Sequence, residues 1–296
     1  MVTTSHFPSY ADFEEAHRHT VAILSKELPQ SRLLGLEGKE YALSEAAKIS
    51  GKDCARFAGT KFFGSAFLAS KILPDGLSLD TGTTSTDIIP LVGGKIDPES
   101  LVDPTAFHLR RMASGRLCWI GLTATPLDYI AREIETKFGK YSLFPRLGYS
   151  EAIAAILEFV PPELARLHAY GGLYPSKEEA FFPLAQAVGG DRILLDPEKL
   201  EALAKALHQE MIKRVALSIE KVSKDVHLKK KIAVVSGLGR EAIARKALLQ
   251  AGFMEEDIFD LDSILGRDHL ASASSAYGLA LMAAERFSDQ AFSLLP

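Results

Sequence analysis

The chain has 296 residues, 47% of them apolar and 24% charged, with a formal net charge of −4. That is chain enough for one large domain or two lobes that bury most of their surface without covalent staples. The mild acidity gives no electrostatic case for nucleic acid or an anionic membrane surface, and two distant cysteines, Cys54 and Cys118, suggest neither a zinc site nor a disulfide framework.

Residues 9–28 are predicted as a helix, with Phe13, Ala16, Val21, Leu24 and Leu28 as its apolar stripe and Pro29 as its stop. His17 and His19 fall on different faces of it and make no metal pair. Residues 33–37 read as a short strand, and residues 43–49 as a short helix capped by Ser44. Residues 57–72 form a helix rich in small residues that can pack closely on a sheet. The strongest β signal spans residues 77–91: Leu77, Ser78, Leu79 and Asp80 alternate, a Gly-Thr-Thr turn follows, and residues 87–92 form the return strand. Gly93 and Gly94 then make a two-residue turn into Lys95 and Ile96. A loop over residues 97–105 leads to a strand at 117–122 and a helix at 126–138. Helices follow at 151–159, 177–188 and 198–222, the last with a long stripe from Leu200 to Val222. Lys229, Lys230 and Lys231 form a solvated entry to a short strand at 232–235. A tight turn at 236–239, a helix at 240–250, a short strand and turn at 258–265 and a closing helix at 271–287 complete the chain. No run reaches the ~20 apolar residues of a membrane span, and the polar start has no segment of signal length; a cytoplasmic protein with reduced thiols is expected.

Three motifs could carry chemistry. The first is Asp80-Thr81-Gly82-Thr83-Thr84-Ser85-Thr86-Asp87. Gly82 lets the backbone turn close to an anion, and successive N–H groups in such a turn form an anion-binding concavity. The hydroxyls of Thr83 and Thr84 add donors, and Ser85 and Thr86 complete the phosphate-binding set. Asp80, at the end of a buried strand, needs a cation or donors to offset its desolvation. Mg²⁺ held by Asp80 and Asp87 beside phosphates meets that need. The competing reading is a plain hairpin whose Asp and Thr residues satisfy their own turn; the coincidence of all these residues favours phosphate. The second motif is Ser236-Gly237-Leu238-Gly239 between strand and helix. Gly237 and Gly239 could abut a phosphate at the helix N-terminus, or could simply allow tight packing; Ala242 stands where a dinucleotide fingerprint has its third glycine. The third is Arg110, Arg111 and Arg116 around Gly115. Arg111 could pair with a diphosphate, against the default of a solvated face. There is no nucleophile elbow.

Residues 79–90 resemble the second phosphate loop of the actin/sugar-kinase/Hsp70 superfold, in its hydantoinase/oxoprolinase branch. The tail Thr86-Asp87-Ile88-Ile89-Pro90 with Gly93-Gly94, and the block Arg111-Met112-Ala113-Ser114-Gly115-Arg116-Leu117 followed by Trp119-Ile120-Gly121 and Thr125-Pro126, are similar to the tetrahydromethanopterin-linked C1-transfer pathway proteins. The similarity covers roughly residues 30–287. Several positions depart from the family pattern: Arg116 replaces a glutamate, Ala124 an arginine, Lys61 and Phe62 an asparagine and a tryptophan, and Pro183-Leu184-Ala185-Gln186 an Arg-Leu-Ala-Arg block. The Asp-x-Gly-Gly strand of a first phosphate loop is absent from residues 1–76.

The resemblance implies an α/β fold of two-lobed, ribonuclease-H-like type (actin/Hsp70/sugar-kinase), its first lobe shortened at the N-terminus. Residues 1–96, with the terminal helix 271–287 returning to them, would form that lobe, and residues 97–296 the second. A shortened sheet would expose an edge for a second copy or a second subunit to cover. The implied activity is transfer in methanofuran-type cofactor biosynthesis: an aminomethylfuran-methanol diphosphate condenses with a γ-glutamyltyramine phenol and diphosphate leaves. Mg²⁺ is the expected cofactor; ATP is not expected without a first phosphate loop. The alternatives are an ATP-dependent hydrolase or kinase of the same superfold and a non-catalytic subunit of a biosynthetic complex.

Overall fold

In a computed structural model, the described residues are 1–2, 10–97, 107–160, 176–191, 193–266 and 270–287. Helix α1 (Phe13–Glu27) starts where the Asp12 carboxylate accepts the Glu15 N–H at 2.8 Å, a side-chain cap on an otherwise orphaned donor. Strands β1 (Arg32–Leu34) and β2 (Glu40–Ala42) form a small antiparallel ribbon, followed by α2 (Leu43–Ala46), a 3₁₀ segment (Gly51–Phe57) and α3 (Phe62–Ile72). Glu45, not Ser44, closes the start of α2, accepting the Ala42 N–H at 2.9 Å. The predicted helix over 57–72 begins only at Phe62, because Gly59 at φ +69° breaks the backbone before it.

Strands β3 (Gly76–Thr81), β4 (Thr86–Val92) and β5 (Lys95–Ile96) run as a meander, with Gly93 and Gly94 at positive φ in the second turn. Most of the predicted loop at 97–105 lies outside the described residues. Helix α4 (Phe107–Ser114) leads to β6 (Leu117–Cys118), which pairs with β4 and is shorter than expected. The helix predicted over 126–138 is a single turn, α5 (Leu127–Ile130), followed by an antiparallel ribbon of β7 (Glu133–Thr136) and β8 (Gly139–Ser142). The segment Glu133-Ile134-Glu135-Thr136 alternates, and Ile134 faces Tyr141 across the ribbon; in so short a span, period 2 competes with 3.6 and pairing decides.

Helices α6 (Ser150–Ile156), α7 (Lys177–Ala187) and α8 (Pro197–Asp225) match their predicted positions. Strand β9 (Ala233–Ser236) leads into a π-helical turn (Arg240–Arg245) that continues as α9 (Lys246–Gln250). Strand β10 (Ile258–Asp260), α10 (Leu261–Leu265) and α11 (Ser274–Phe287) follow. Among the described residues, no helix is long and apolar enough to cross a membrane.

The architecture is α/β, built on one mixed six-stranded sheet of order β10-β9-β3-β4-β5, with β6 also on β4. Strands β3, β9 and β10 are parallel and β4 is antiparallel to β3. The sheet therefore takes strands from both sides of residue 96. Period-2 alternation splits its side chains between two layers. Leu77, Leu79, Ile88, Ala233 and Val235 pack with the α8 stripe of Leu203, Leu207, Met211 and Val215. Ile89, Leu91 and Val234 face the other way, toward α3 and α11. Those two helices touch backbone to backbone: a Cβ on Gly64 would lie 1.9 Å from the Ser275 carbonyl oxygen, and one on Gly278 would lie 1.9 Å from that of Gly64.

Candidate functional site

Asp80 is the penultimate residue of the central strand β3 and stands directly opposite Asp87 of β4, with Ser236 of β9 on its other side. Such opposite residues have Cβ atoms about 5 Å apart, so two carboxylates are placed side by side. The close contact of α3 and α11 brings a serine from each to Asp80. The Ser275 hydroxyl donates to Asp80 Oδ2 at 3.3 Å, and the Ser65 hydroxyl bonds to the same side chain. The Gly237 turn covers the opposite side: a Cβ there would fall 2.4 Å from Asp80 Oδ1. The residue keeps partial solvent contact, yet crowding of its carboxylate dominates its chemistry. Burial, then the charge of Asp87, push its carboxyl above the usual range; Ser65, the Lys61 charge and Ser275 oppose them without cancelling them.

Asp87 is held by Arg111, whose Nη2 donates to Asp87 Oδ1 at 2.6 Å and to the Arg116 carbonyl at 3.0 Å. The same guanidinium lies 4.3 Å from the centroid of the Phe62 ring, a cation–π stack. Arg111 is thus buried rather than solvated, and it reaches the acidic pair rather than the tip of the loop. Arg116 is equally buried and donates from Nη2 to Asp97 Oδ2 at 3.1 Å; of the three arginines only Arg110 is exposed.

The turn between the strands is closed by the Gly82 N–H donating to the Ser85 carbonyl at 2.9 Å. It is pinned from outside by the segment after β6: the Gly82 carbonyl accepts from Leu122 at 2.9 Å, and that of Thr83 from Thr123 at 3.0 Å and Ala124 at 2.8 Å. Gly121 makes this approach possible, since a Cβ on it would lie 2.5 Å from the backbone of Thr83 and Thr84. None of the N–H groups of Thr83, Thr84 and Ser85 pairs with a backbone carbonyl among the described residues. The hydroxyls of Thr83 and Thr84 sit 3.3 Å apart at the surface. Thr86 differs from its neighbours: fully buried, it donates to the Ile120 carbonyl at 2.7 Å and shares a 3.1 Å contact with the Thr81 hydroxyl. Its hydroxyl therefore braces the turn and is not presented to solvent.

Gly237 and Gly239 both lie against β3. The Gly239 N–H donates to the Thr81 carbonyl at 2.8 Å, and a Cβ on Gly239 would meet Thr81 Cγ2 at 2.5 Å. Arg240 locks this turn, donating to Asp260 at 2.7 Å, to Asp262 at 2.8 Å and to the Gly237 carbonyl at 3.3 Å. Ser65, Ser275, Lys61 and Arg240 are the site residues that sequence reasoning missed. The only trace of the two serines is the small-residue character of their helices; Lys61 stands out only as a departure from the family pattern, and nothing local marks Arg240.

Among the described residues, no group of three or more His, Cys, Asp or Glu side chains could hold a metal ion; the acidic pair offers two carboxylates. Mg²⁺ is compatible with so small a set, because it keeps most of its waters and takes one or two carboxylates beside substrate phosphates. The unfavourable charge of Asp87 on Asp80 is what a cation there would relieve.

Fold and site together define an α/β protein with an acid-paired, glycine-tipped turn at the end of its central strand. No protein-family profile matches the chain. Two archaeal proteins, each named (4-{4-[2-(gamma-L-glutamylamino)ethyl]phenoxymethyl}furan-2-yl)methanamine synthase, are similar to it. The one from Methanocaldococcus jannaschii is 25% identical over 212 residues, covering 71% of this chain and 60% of that protein. The one from Methanococcus vannielii is 22% identical over 218 residues, covering 73% of this chain and 94% of that protein. The matched part of this chain spans about 60% of the length of the first.

Proposed function

We propose that the chain is a transferase of methanofuran-type cofactor biosynthesis, which joins an aminomethylfuran-methanol diphosphate to the phenol of a tyramine-type acceptor. The product named for the similar archaeal proteins contains this aryl ether, a phenoxymethyl group on a furan. In the reaction the methylene–oxygen bond to diphosphate breaks and its electron pair leaves with the diphosphate. The phenol oxygen bonds the methylene carbon and its proton passes to water. The furan ring shares positive charge at the methylene, so the main demand is to neutralise the departing oxyanion.

The observation that carries this reading is the pairing of Asp80 with Asp87 at the foot of an exposed, amide-rich turn. The N–H groups of Thr83, Thr84 and Ser85 and the hydroxyls of Thr83 and Thr84 meet phosphate oxygens. The Gly237–Gly239 turn packs against Asp80 and Thr81 and closes the site from the side. Asp80 and Asp87 would hold Mg²⁺, which when bound supplies positive charge to the diphosphate. Arg111 fixes Asp87, and Ser65 with Ser275 fix Asp80. The strand order β10-β9-β3-β4-β5, with a meander beside two parallel strands, supports a ribonuclease-H-like half of the actin/sugar-kinase/Hsp70 type.

The test is diphosphate release from the furan diphosphate and tyramine acceptor, comparing wild type with Asp80→Asn. The variant should lose at least about 100-fold in kcat, the scale on which removal of one charge-stabilising group is felt. Equal rates would remove Asp80, and with it this reading, from the mechanism.

A further inference from the structure

We infer that Lys61 is the side chain that contacts the substrate diphosphate at this site. The inference rests on the reading of the site as a diphosphate-transfer centre and names the cation that serves it.

A diphosphate needs positive charge beyond main-chain amides, and Arg111, Arg116 and Arg240 are already committed. Arg111 is 4% exposed, bonded to Asp87 and to the Arg116 carbonyl, and stacked on Phe62. Arg116 is also 4% exposed and bonded to Asp97. Arg240 is forked between Asp260 and Asp262. To release any of them toward a ligand would leave a buried or half-buried carboxylate without its arginine, a costly exchange.

Lys61 differs on every count. It occupies the N-cap position of α3 and is exposed. It makes no ion pair among the described residues. It precedes Ser65 by four residues, and helical neighbours at that spacing share a face; Ser65 is the residue through which α3 touches Asp80. The first turn of α3, which carries both Lys61 and Ser65, lies against Asp80, because Gly64 meets the Ser275 backbone and Ser275 bonds Asp80. A flexible stem ending in a point charge suits a ligand that must enter and leave. Phe62, next in sequence, supports Arg111 beneath Asp87. Two adjacent residues at the start of α3 thus serve the two carboxylates, one from the solvent side and one from within.

Calorimetric titration of inorganic diphosphate in the presence of Mg²⁺ tests this on wild type, Lys61→Ala and Lys61→Arg. Because Lys61 is exposed, neither substitution should alter the fold, and circular dichroism checks that. Loss of one charge-assisted contact should weaken binding in Lys61→Ala by roughly 10-fold or more, with most of the affinity retained in Lys61→Arg. Wild-type affinity in Lys61→Ala would overturn the role of Lys61 and leave the site reading standing. Failure of the wild type to bind diphosphate at millimolar concentration would overturn both.

Discussion

Replacing Gly237 by alanine tests whether the turn after β9 is shaped by the main chain around Asp80. Gly237 has φ +87°, a conformation that costs a residue with a Cβ about 1–2 kcal/mol. The new methyl would also lie 2.4 Å from both the Thr81 carbonyl oxygen and Asp80 Oδ1. Neither neighbour yields easily. Thr81 is hydrogen-bonded to Gly239 at 2.8 Å, and Asp80 is held by Ser65 and Ser275. Relief requires β3 and the turn to separate, an overpacking strain of about 1–3 kcal/mol. Gly237→Ala should therefore lose about 2–5 kcal/mol in urea denaturation. Gly239→Ala provides the internal comparison. Its φ is −92°, and its nearest contact is a side-chain methyl, Thr81 Cγ2, so it should lose less. The same shift should weaken diphosphate binding in Gly237→Ala. Stability within about 0.5 kcal/mol of wild type, or a larger loss in Gly239→Ala, would refute the packing argument.

Gly121→Ala places a methyl 2.5 Å from the backbone of Thr83 and Thr84; it should displace the turn from its 122–124 anchor and weaken diphosphate binding more than global stability, as calorimetry and denaturation read side by side would show. His208, buried on α8 with Nε2 donating to the Ala242 carbonyl at 2.7 Å, has its imidazole pushed down by burial from 6.5 to about 4. The unfolded chain then takes up the proton first as pH falls. Stability from the neutral ring is complete above about 6.5 and erodes down to about 4, by roughly 3 kcal/mol in all. Urea midpoints at neutral and acid pH should diverge less in His208→Gln than in wild type; identical divergence would remove His208 from the acid sensitivity.

The sheet was legible because its signals are local. Leu77, Ser78, Leu79 and Asp80 alternate up to a glycine-tipped turn, an apolar run from Ile88 returns, and Gly93-Gly94 permits the next turn. The α8 stripe was legible for the same reason, at a different period. Residues 126–138 misled because Leu127, Ile130 and Ile134 fit a helical stripe as well as a strand, and only cross-strand pairing with residues 139–142 separates the two. The site divides along the same line. Asp80, Asp87, Gly82 and Thr83 lie within one hairpin and announce themselves together. Ser65 and Ser275 lie 210 positions apart and meet Asp80 only because two helices touch at Gly64 and Gly278. The sequence offered Arg111 as a loose cation, but it is drawn inward by Asp87 and Phe62, contacts that no spacing rule reports.

That division bears on how the site is held. Its acidic pair belongs to a hairpin, yet each wall around it is supplied from a distant segment. The start of α3 and the start of α11 approach Asp80 from one side, and the turn after β9 from another. The 121–124 segment holds the loop itself. A carboxylate whose burial and like-charged neighbour both oppose its ionisation persists in that place only while these segments stay docked. The groups bonded to Asp80 are the hydroxyls of Ser65 and Ser275, while the full charges of Arg111, Arg116 and Arg240 are each tied to another carboxylate. Asp80 is thus the member of the acidic pair that no arginine neutralises among the described residues.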